Sequence, residues 1–129
     1  MSPNSVNHRV VKKTSVMLTW LFWTRILVLE ALEKILGTTA VRNLKQFEST
    51  CELKRVYVLR DFRQLGMGQQ LLDIAIDFAK SVGYSRIVLD SSKALHVART
   101  LYLKNGFIDI PKYNDNYRAD VFMERRLVW

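Results

Sequence analysis

Residues 56–82, with the sequence VYVLRDFRQLGMGQQLLDIAIDFAKSV, decide the fold of this chain. The stretch opens with strand-forming residues, continues through a turn that contains Gly66 and Gly68, and then shows a helical apolar pattern without Gly or Pro until Gly83. It therefore predicts a strand, a glycine turn and a long amphipathic helix. The first N–H groups of a helix lack acceptors within the helix and lie at the positive end of its dipole. A turn in this position is suited to binding phosphate oxygens.

The glycine turn alone does not establish a binding site, because a turn that merely joins a strand to a helix also uses glycine. The stretch lacks the Gly-x-x-x-x-Gly-Lys-Ser/Thr sequence of phosphate-binding loops, and it lacks the third glycine of the dinucleotide fingerprint. ATP and NAD are therefore poor candidates for its ligand.

Two motifs lie before and after the helical pattern. Residues 63–68 read RQLGMG and residues 102–107 read YLKNGF. The first is similar to the pyrophosphate loop, Arg/Gln-x-x-Gly-x-Gly/Ala, of the GCN5-related N-acetyltransferase (GNAT) family, and the second resembles that family's Tyr-x-x-x-Gly-Phe signature. Members of the family transfer acetyl from acetyl-CoA to an amine. The resemblance extends without gaps over several landmarks from Cys51 to Leu127, and the two motifs are more specific together than either is alone.

The resemblance implies that acetyl-CoA is the cosubstrate and that no metal is required. Backbone N–H groups of the glycine turn and the first helical turn would bind the pyrophosphate, with added charge from Arg63. The preceding strand would hydrogen-bond the pantetheine arm. The implied binding residues are Tyr57, Val58, Arg63, Gln64, Leu65, Gly66, Met67, Gly68, Gln69 and Gln70. Leu95 stands where many relatives carry an Asn that contacts pantetheine, which removes one expected contact.

Two residues are catalytic candidates by the same resemblance. Tyr102 corresponds to the family tyrosine near the thioester sulfur, where a phenol can protonate the departing thiolate; a core Tyr is the alternative, and the two roles can coexist. Glu52 lies where some members place a carboxylate that removes the amine proton, and a solvated glutamate at a strand end is the alternative. His96 is a weaker candidate for the base. Cys51 lies outside the position expected for a nucleophile, so we expect direct transfer without an acyl-enzyme.

Length and composition describe one small domain. The chain has 129 residues, of which 49% are hydrophobic and 25% charged, enough apolar material for a single core. The net charge of +8 favours polyanions, but the basic residues are scattered, so we expect CoA rather than nucleic acid as the anionic partner. The single cysteine cannot form an intrachain disulfide, which is compatible with a reducing compartment and with a cytoplasmic protein.

The N-terminal part divides into a polar basic arm, residues 1–15, and the start of an acetyltransferase-like domain that spans residues 16–129. Residues 16–29, VMLTWLFWTRILVL, are the most apolar stretch of the chain. Arg25 interrupts them, and the uninterrupted part is well short of the ~20 residues that a membrane-spanning helix needs. We therefore expect no membrane insertion, and burial in a core or an interface instead.

Residues 27–42, LVLEALEKILGTTAVR, allow two interpretations. Helix propensity favours a helix that ends near Gly37. The resemblance implies a hairpin instead, with a strand that ends near Glu30, a tight turn at residues 31–33 and a second strand over residues 34–41. We favour the hairpin, because tertiary context overrides helix propensity.

The remaining pattern completes an α/β fold, a GNAT-like mixed sheet. Strands are predicted at residues 52–59 and 86–90, joined in parallel through the helix, which should bury Leu71, Leu72, Ala75, Phe78, Ala79 and Val82. Along the first strand, residues 52, 54, 56 and 58 should alternate with residues 53, 55 and 57. A second helix should span residues 95–105, followed by strands at residues 107–110 and 120–127 and a loop between them.

The resemblance implies a strand and two helices ahead of the hairpin, which form much of the acceptor site, and with residues 1–24 before the hairpin we expect most of them to be missing. Either the chain is a minimal member or another chain supplies the missing wall, and we expect a homodimer with Trp20, Phe22 or Trp23 in its contact. The expected activity is acetyl transfer to a primary amine of a small molecule or peptide. The alternatives are a CoA-binding regulatory module without turnover and, ranked lowest, a basic nucleic-acid binder with salt-dependent affinity.

Overall fold

The computed structural model describes residues 13–18, 24–31, 34–58, 60 and 66–127. These residues form a mixed sheet with two helices, as the sequence predicts for an α/β fold. The elements are β1 (Lys13–Leu18), β2 (Thr24–Ala31), β3 (Lys34–Asn43), β4 (Thr50–Val58), α1 (Met67–Ser81), β5 (Arg86–Ser91), α2 (His96–Lys104), β6 (Ile108–Asp109) and β7 (Val121–Arg126). The strand order is β1-β2-β3-β4-β5-β7-β6.

The first four strands form an antiparallel meander. The predicted hairpin is confirmed, because β2 ends at Ala31 and β3 begins at Lys34. Backbone pairing of β2 with β1 on one side and with β3 on the other outweighs the helix propensity of this segment. The predicted arm is too long by three residues, because residues 13–15 already pair with residues 28–30; residues 1–12 lie outside the described residues.

The second half is built around a parallel pair. β4 and β5 run in parallel with α1 as their crossover, as the alternation of strand, helix and strand predicts. β7 then pairs antiparallel with β5, and the short β6 lies at the sheet edge. Gly83, at φ +96°, takes up the left-handed conformation just after α1 ends.

The main core lies between one face of the sheet and the two helices. It combines Cys51 and Leu53 of β4 with Ile87 and Leu89 of β5 and with the inner face of α1. The buried residues of α1 are Met67, Leu71, Leu72, Ala75, Ile76 and Ala79. The prediction is wrong for Val82, which is 54% exposed because it follows the last helical turn, and Phe78 is only half-buried.

The opposite face of the sheet is covered by two connections. Phe47, from the β3–β4 connection, lies edge-on to Tyr113 with ring centroids 6.1 Å apart. Tyr113 belongs to the connection between β6 and β7, of which residues 111–118 are here called the β6–β7 loop. The centroid of its ring lies 5.5 Å from that of Phe122 in β7. Between them Glu52 and Val88 are fully buried. This second face therefore contains buried charge, whereas the helical face is apolar.

Candidate functional site

The sheet opens between its two central parallel strands. Register pairs join β4 to β5 from Thr50 with Arg86 to Leu53 with Leu89. β4 continues to Val58 without further pairing to β5, which itself continues to Ser91. Backbone pairing between the two strands therefore stops before their C-terminal ends, and we call this unpaired region the opening between β4 and β5. In open α/β sheets such openings are common ligand sites.

A bulge in β4 lies where the opening begins. Thr38 pairs with Tyr57 and Ala40 pairs with Lys54, so β4 carries one residue more than β3 over this interval. The Thr39 hydroxyl donates a 3.2 Å hydrogen bond to the Lys54 carbonyl inside the irregularity. A bulge bends and twists the strand that contains it, and this bulge begins where the backbone pairing of β4 with β5 stops.

Because of the bulge, the predicted alternation of β4 is wrong beyond Lys54. Val56 packs against the main core together with Cys51 and Leu53, although it is separated from them by an odd number of positions. Tyr57 is 50% exposed. Beyond Lys54, the extra residue therefore reverses which positions of β4 point to the main core. The sequence of β4 contains no Gly or Pro that would predict this bulge.

The N-terminus of α1 retains the geometry expected of an anion site. Gly66 is the N-cap, at φ +80°, and among the residues that the structure describes no side chain caps the helix or places an acidic group in its first turn. Gln70 N–H donates to the Gly66 carbonyl at 3.2 Å. The N–H groups of residues 67–69 have no acceptor inside the helix, so they are suited to receive an anion. Arg63, Gln64 and Leu65 lie outside the described residues.

Two predicted binding residues also join the helices. A Cβ added to Gly68 would lie 3.3 Å from Leu101 Cδ2, so this glycine lets α2 approach closely. The Gln69 amide donates to Asp73 Oδ1 and Asn105 Oδ1, both at 2.8 Å, and Asn105 Nδ2 returns a 2.9 Å bond to Gln69 Oε1. The Gln69 side chain thus links the start of α1 to the end of α2.

Tyr102 lies in the last turn of α2, at the edge of the main core. It is 7% exposed, and its ring centroid is 5.7 Å from that of Phe107. Its carbonyl accepts the N–H groups of Asn105 and Phe107, which ends the helix. Burial raises the pKa of the phenol, so it is protonated at neutral pH and has a proton to donate. The core role and the proton-donor role are compatible in this geometry.

Glu52 is fully buried, so the alternative of a solvated glutamate is wrong. Its Oε1 accepts from Arg42 Nε and Nη2 at 2.9 Å each, and its Oε2 accepts from the Tyr113 hydroxyl at 2.6 Å. Lys54 Nζ lies 3.6 Å from Oε2. Burial, followed by the hydrogen bond to the carboxylate, raises the pKa of Tyr113. Both oxygens of Glu52 are therefore already engaged within the protein.

A second carboxylate, Asp90, was not among the sequence candidates. Lys54 Nζ lies 3.3 Å from its Oδ1 and 3.2 Å from its Oδ2, while Asn114 and Asn116 donate to Oδ2 at 2.7 and 3.4 Å. Burial acts to raise the pKa of Asp90, but the hydrogen bonds from Asn114 and Lys54 outweigh it and lower the pKa below 3.8. In the sequence Asp90 is recognisable only as the polar end of the short apolar strand at residues 86–90.

Other predicted features contribute less to the described site. Cys51 is fully buried, and burial raises its pKa to about 12, which suits a core residue rather than a nucleophile. His96 is exposed at the start of α2. Trp20, Phe22 and Trp23 lie outside the described residues.

Within the described ranges, no group of three His, Cys, Asp or Glu side chains could hold a metal ion. Neither helix described has the length and apolar character needed to span a bilayer.

Comparison with known proteins associates this arrangement with one family. A model of the acetyltransferase (GNAT) family matches residues 6–107. An uncharacterized N-acetyltransferase of Dictyostelium discoideum is 37% identical over 79 residues, which are 60% of this chain and 37% of that relative. The probable N-acetyltransferase camello of Xenopus tropicalis is 33% identical over 86 residues, 67% of this chain and 37% of the relative. The chain thus spans well under half the length of these two relatives.

A solved structure has the same fold. The PaiA N-acetyltransferase of Thermoplasma acidophilum, in complex with coenzyme A, superposes with a TM-score of 0.68 and 21% sequence identity. The superposition covers 81% of this chain and 62% of the other. At this identity the likeness shows the fold alone.

Proposed function

We propose that this chain, which belongs to the acetyltransferase (GNAT) family, transfers acetyl from acetyl-CoA directly to a primary amine of a small molecule or peptide. The observation that carries the proposal is the opening between β4 and β5 beside the uncapped first turn of α1. A pyrophosphate on that turn leaves the pantetheine arm next to this opening. The proposal therefore assigns one continuous site to the donor.

The chain's own residues divide the work of donor binding. The N–H groups of residues 67–69 would hold the pyrophosphate, with Arg63, Gln64 and Leu65 completing the glycine turn and the positive end of the α1 dipole favouring the anion. The edge of β4 at Tyr57 and Val58 would hydrogen-bond the pantetheine arm. Holding the thioester beside the acceptor in this way supplies much of the rate acceleration, since it turns a bimolecular encounter into an oriented one.

In the reaction, the amine nitrogen forms a bond to the thioester carbonyl carbon and the bond from that carbon to sulfur breaks. The nitrogen must lose one proton and the thiolate must gain one. Tyr102, buried and protonated, is the proposed donor to sulfur. Glu52 remains the sequence candidate for the base, although its oxygens are engaged by Arg42 and Tyr113. Water can accept the proton instead when the amine has a modest pKa.

Two measurements test the function. Calorimetry with acetyl-CoA should show binding, and Gly66→Val should abolish it. An assay of thiol release across small amines, peptide N-termini and lysine peptides should then show turnover, with little background from the buried Cys51. Binding without turnover on every amine would favour the CoA-binding regulatory module. Absence of binding would overturn the proposal.

A homodimer is the assembly we propose, on the strength of the apolar residues 16–29. Trp20, Phe22 or Trp23 would lie in the contact, and the N-terminal segment would help to form the neighbour's acceptor site. Replacing Trp20 and Trp23 by Ser should shift the protein toward monomer or aggregate and impair turnover more than acetyl-CoA binding. A parent protein that light scattering finds monomeric at high concentration would overturn this assembly. The proposed location is the cytoplasm, in keeping with the single reduced cysteine.

A further inference from the structure

A side-chain ion pair crosses the sheet at the point where its backbone ladder stops. The last register pair between β4 and β5 joins Leu53 to Leu89, so Lys54 and Asp90 are the next residues on the two strands. Lys54 Nζ lies 3.3 and 3.2 Å from the two carboxylate oxygens of Asp90. This ion pair therefore occupies the position that a fifth pair of the ladder would take.

Burial of this pair calls for a reason other than stability. The Asp90 side chain is 7% exposed and that of Lys54 is 27% exposed. Removing two charges from water is costly, and a buried ion pair often stabilises a fold no better than apolar residues of similar size. A pair in this position has a geometric effect that apolar residues lack, because its direct contact fixes the distance between two strands that no longer share backbone hydrogen bonds.

The same pair is tied to the loop at residues 111–118. Asn114 Nδ2 donates to Asp90 Oδ2 at 2.7 Å, and the neighbouring Tyr113 donates to Glu52 Oε2 at 2.6 Å. Lys54 Nζ lies 3.6 Å from that Glu52 oxygen. Consecutive loop residues thus bind the two carboxylates that Lys54 connects. A change in the separation of β4 and β5 would therefore also move this loop.

We propose that Lys54 and Asp90 are positioning residues that set the width of the opening between β4 and β5 and hold the loop at residues 111–118 against it. The inference rests on the proposed function, in which the opening receives the pantetheine arm of acetyl-CoA. Loss of either residue would let the end of β4 move relative to β5. The donor would then bind less tightly, and loss of Asp90 would also remove the hydrogen bonds that attach Asn114 and Asn116 to the sheet.

Arg86 provides a matched control. Its guanidinium pairs with Glu124 on the same face of the sheet, with side chains 18% and 13% exposed. That pair joins β5 to β7, and both of its residues lie within the backbone ladder of these strands, with Arg86 opposite Arg126 and Val88 opposite Glu124. Arg86→Met therefore removes an ion pair of similar burial from strands that the backbone still holds together. Lys54→Met removes an ion pair from a point where backbone pairing no longer joins the two strands.

Acetyl-CoA affinity, measured by calorimetry, tests the proposal. Lys54→Met and Asp90→Asn should each weaken binding by about tenfold, the size of effect that residues can have on a site whose ligand they do not contact. The double variant should be no weaker than the worse single variant, because the two residues act as one contact. Lys54→Arg should retain most of the affinity, and Arg86→Met should stay within about threefold of the parent. Equal losses in Lys54→Met and Arg86→Met, or none in Lys54→Met, would overturn the proposal.

Amide hydrogen exchange of the ligand-free protein separates this proposal from the proposed function. Exchange at residues 56–58 and at residues 114–116 should accelerate in Lys54→Met relative to Arg86→Met. Unchanged exchange at both segments would overturn the positioning role, even if acetyl-CoA binds the parent protein. Accelerated exchange in a protein that does not bind acetyl-CoA would support the positioning role of the Lys54–Asp90 pair and would overturn the proposal that acetyl-CoA is the ligand.

Discussion

The Tyr113 hydroxyl donates a 2.6 Å hydrogen bond to Glu52 Oε2 across 61 positions of the chain. This bond joins the β6–β7 loop to the centre of the sheet, and it is made to a fully buried carboxylate. Tyr113→Phe keeps the ring contacts but leaves that carboxylate with one donor fewer. We expect the free energy of unfolding to fall by about 1–3 kcal/mol. Urea unfolding should show no comparable loss for Tyr117→Phe, because Tyr117 is 86% exposed.

Glu52→Gln tests whether Glu52 is a base or holds the second face together. Removing its charge leaves Arg42 and Lys54 without that counter-charge, so we expect a loss of about 2 kcal/mol, moderated because both cations keep some access to water. Residual turnover should keep the pH dependence of the parent enzyme, since neither Glu52 oxygen is available to an incoming amine. A stable variant that binds acetyl-CoA but whose turnover no longer shows the pH dependence of the parent would instead identify Glu52 as the base.

Tyr102→Phe removes the proposed donor to sulfur and little else from the core. Turnover should fall by about a hundredfold while acetyl-CoA affinity stays near that of the parent, because a general acid acts in the transition state. Steady-state kinetics and calorimetry on the same preparation make the comparison. A parallel loss of affinity, or turnover equal to the parent, would reduce Tyr102 to a packing residue beside Phe107.

Substitutions of the two glycines in the turn should impair the protein for different physical reasons. Gly66→Ala places a Cβ on a residue at φ +80°, so the free energy of unfolding should fall by about 1–2 kcal/mol. Acetyl-CoA binding should be lost as well. Gly68→Ala brings a Cβ to 3.3 Å from Leu101 Cδ2, so it disturbs helix packing as well.

Leu101→Ala removes that contact and separates the two roles of Gly68. We expect Gly68→Ala with Leu101→Ala to recover stability but not acetyl-CoA binding, as measured by urea unfolding and calorimetry. Leu101→Ala alone should bind normally. Recovery of binding in the double variant would mean that Gly68 serves helix packing only.

The pKa of Asp90 predicts an acid dependence of stability. Burial opposes its ionisation, but the hydrogen bonds of Asn114 and Lys54 hold its pKa below 3.8, so the folded state favours the carboxylate. That stabilisation is complete well above pH 3.8 and is lost as the pH falls through the folded-state pKa. The difference in unfolding free energy between the parent and Asp90→Asn should therefore be constant from about pH 7 to about pH 5 and should shrink by about pH 3. A difference that grows on acidification would contradict the assignment.

Much of the backbone could be predicted, because strong local signals and long-range pairing agree there. Helix α1 carries a clear apolar stripe, and the glycines that follow both helices adopt positive φ. For β2 and β3 propensity pointed to a helix, and only the family resemblance gave the hairpin.

The polar face of the sheet could not be predicted in the same way. Glu52 and Lys54 read as a solvated strand because single residues do not reveal what covers them. Their cover comes from Tyr113 and Asn114, far along the chain, and Asp90 reads as the polar end of a short strand. Such contacts depend on tertiary placement rather than on spacing.

The extra residue in β4 makes this strand sensitive to chain length in a way that composition does not reveal. Deleting residue 55 would leave β4 and β3 with equal numbers of residues between Lys54 and Tyr57 and so remove the bulge, while Val56 would stay on the core face and Tyr57 on the opposite face. A conservative substitution at residue 55 changes only one side chain. Deletion should therefore be the more damaging change here, because it would straighten β4 where its backbone pairing with β5 stops and so alter the opening between the two strands.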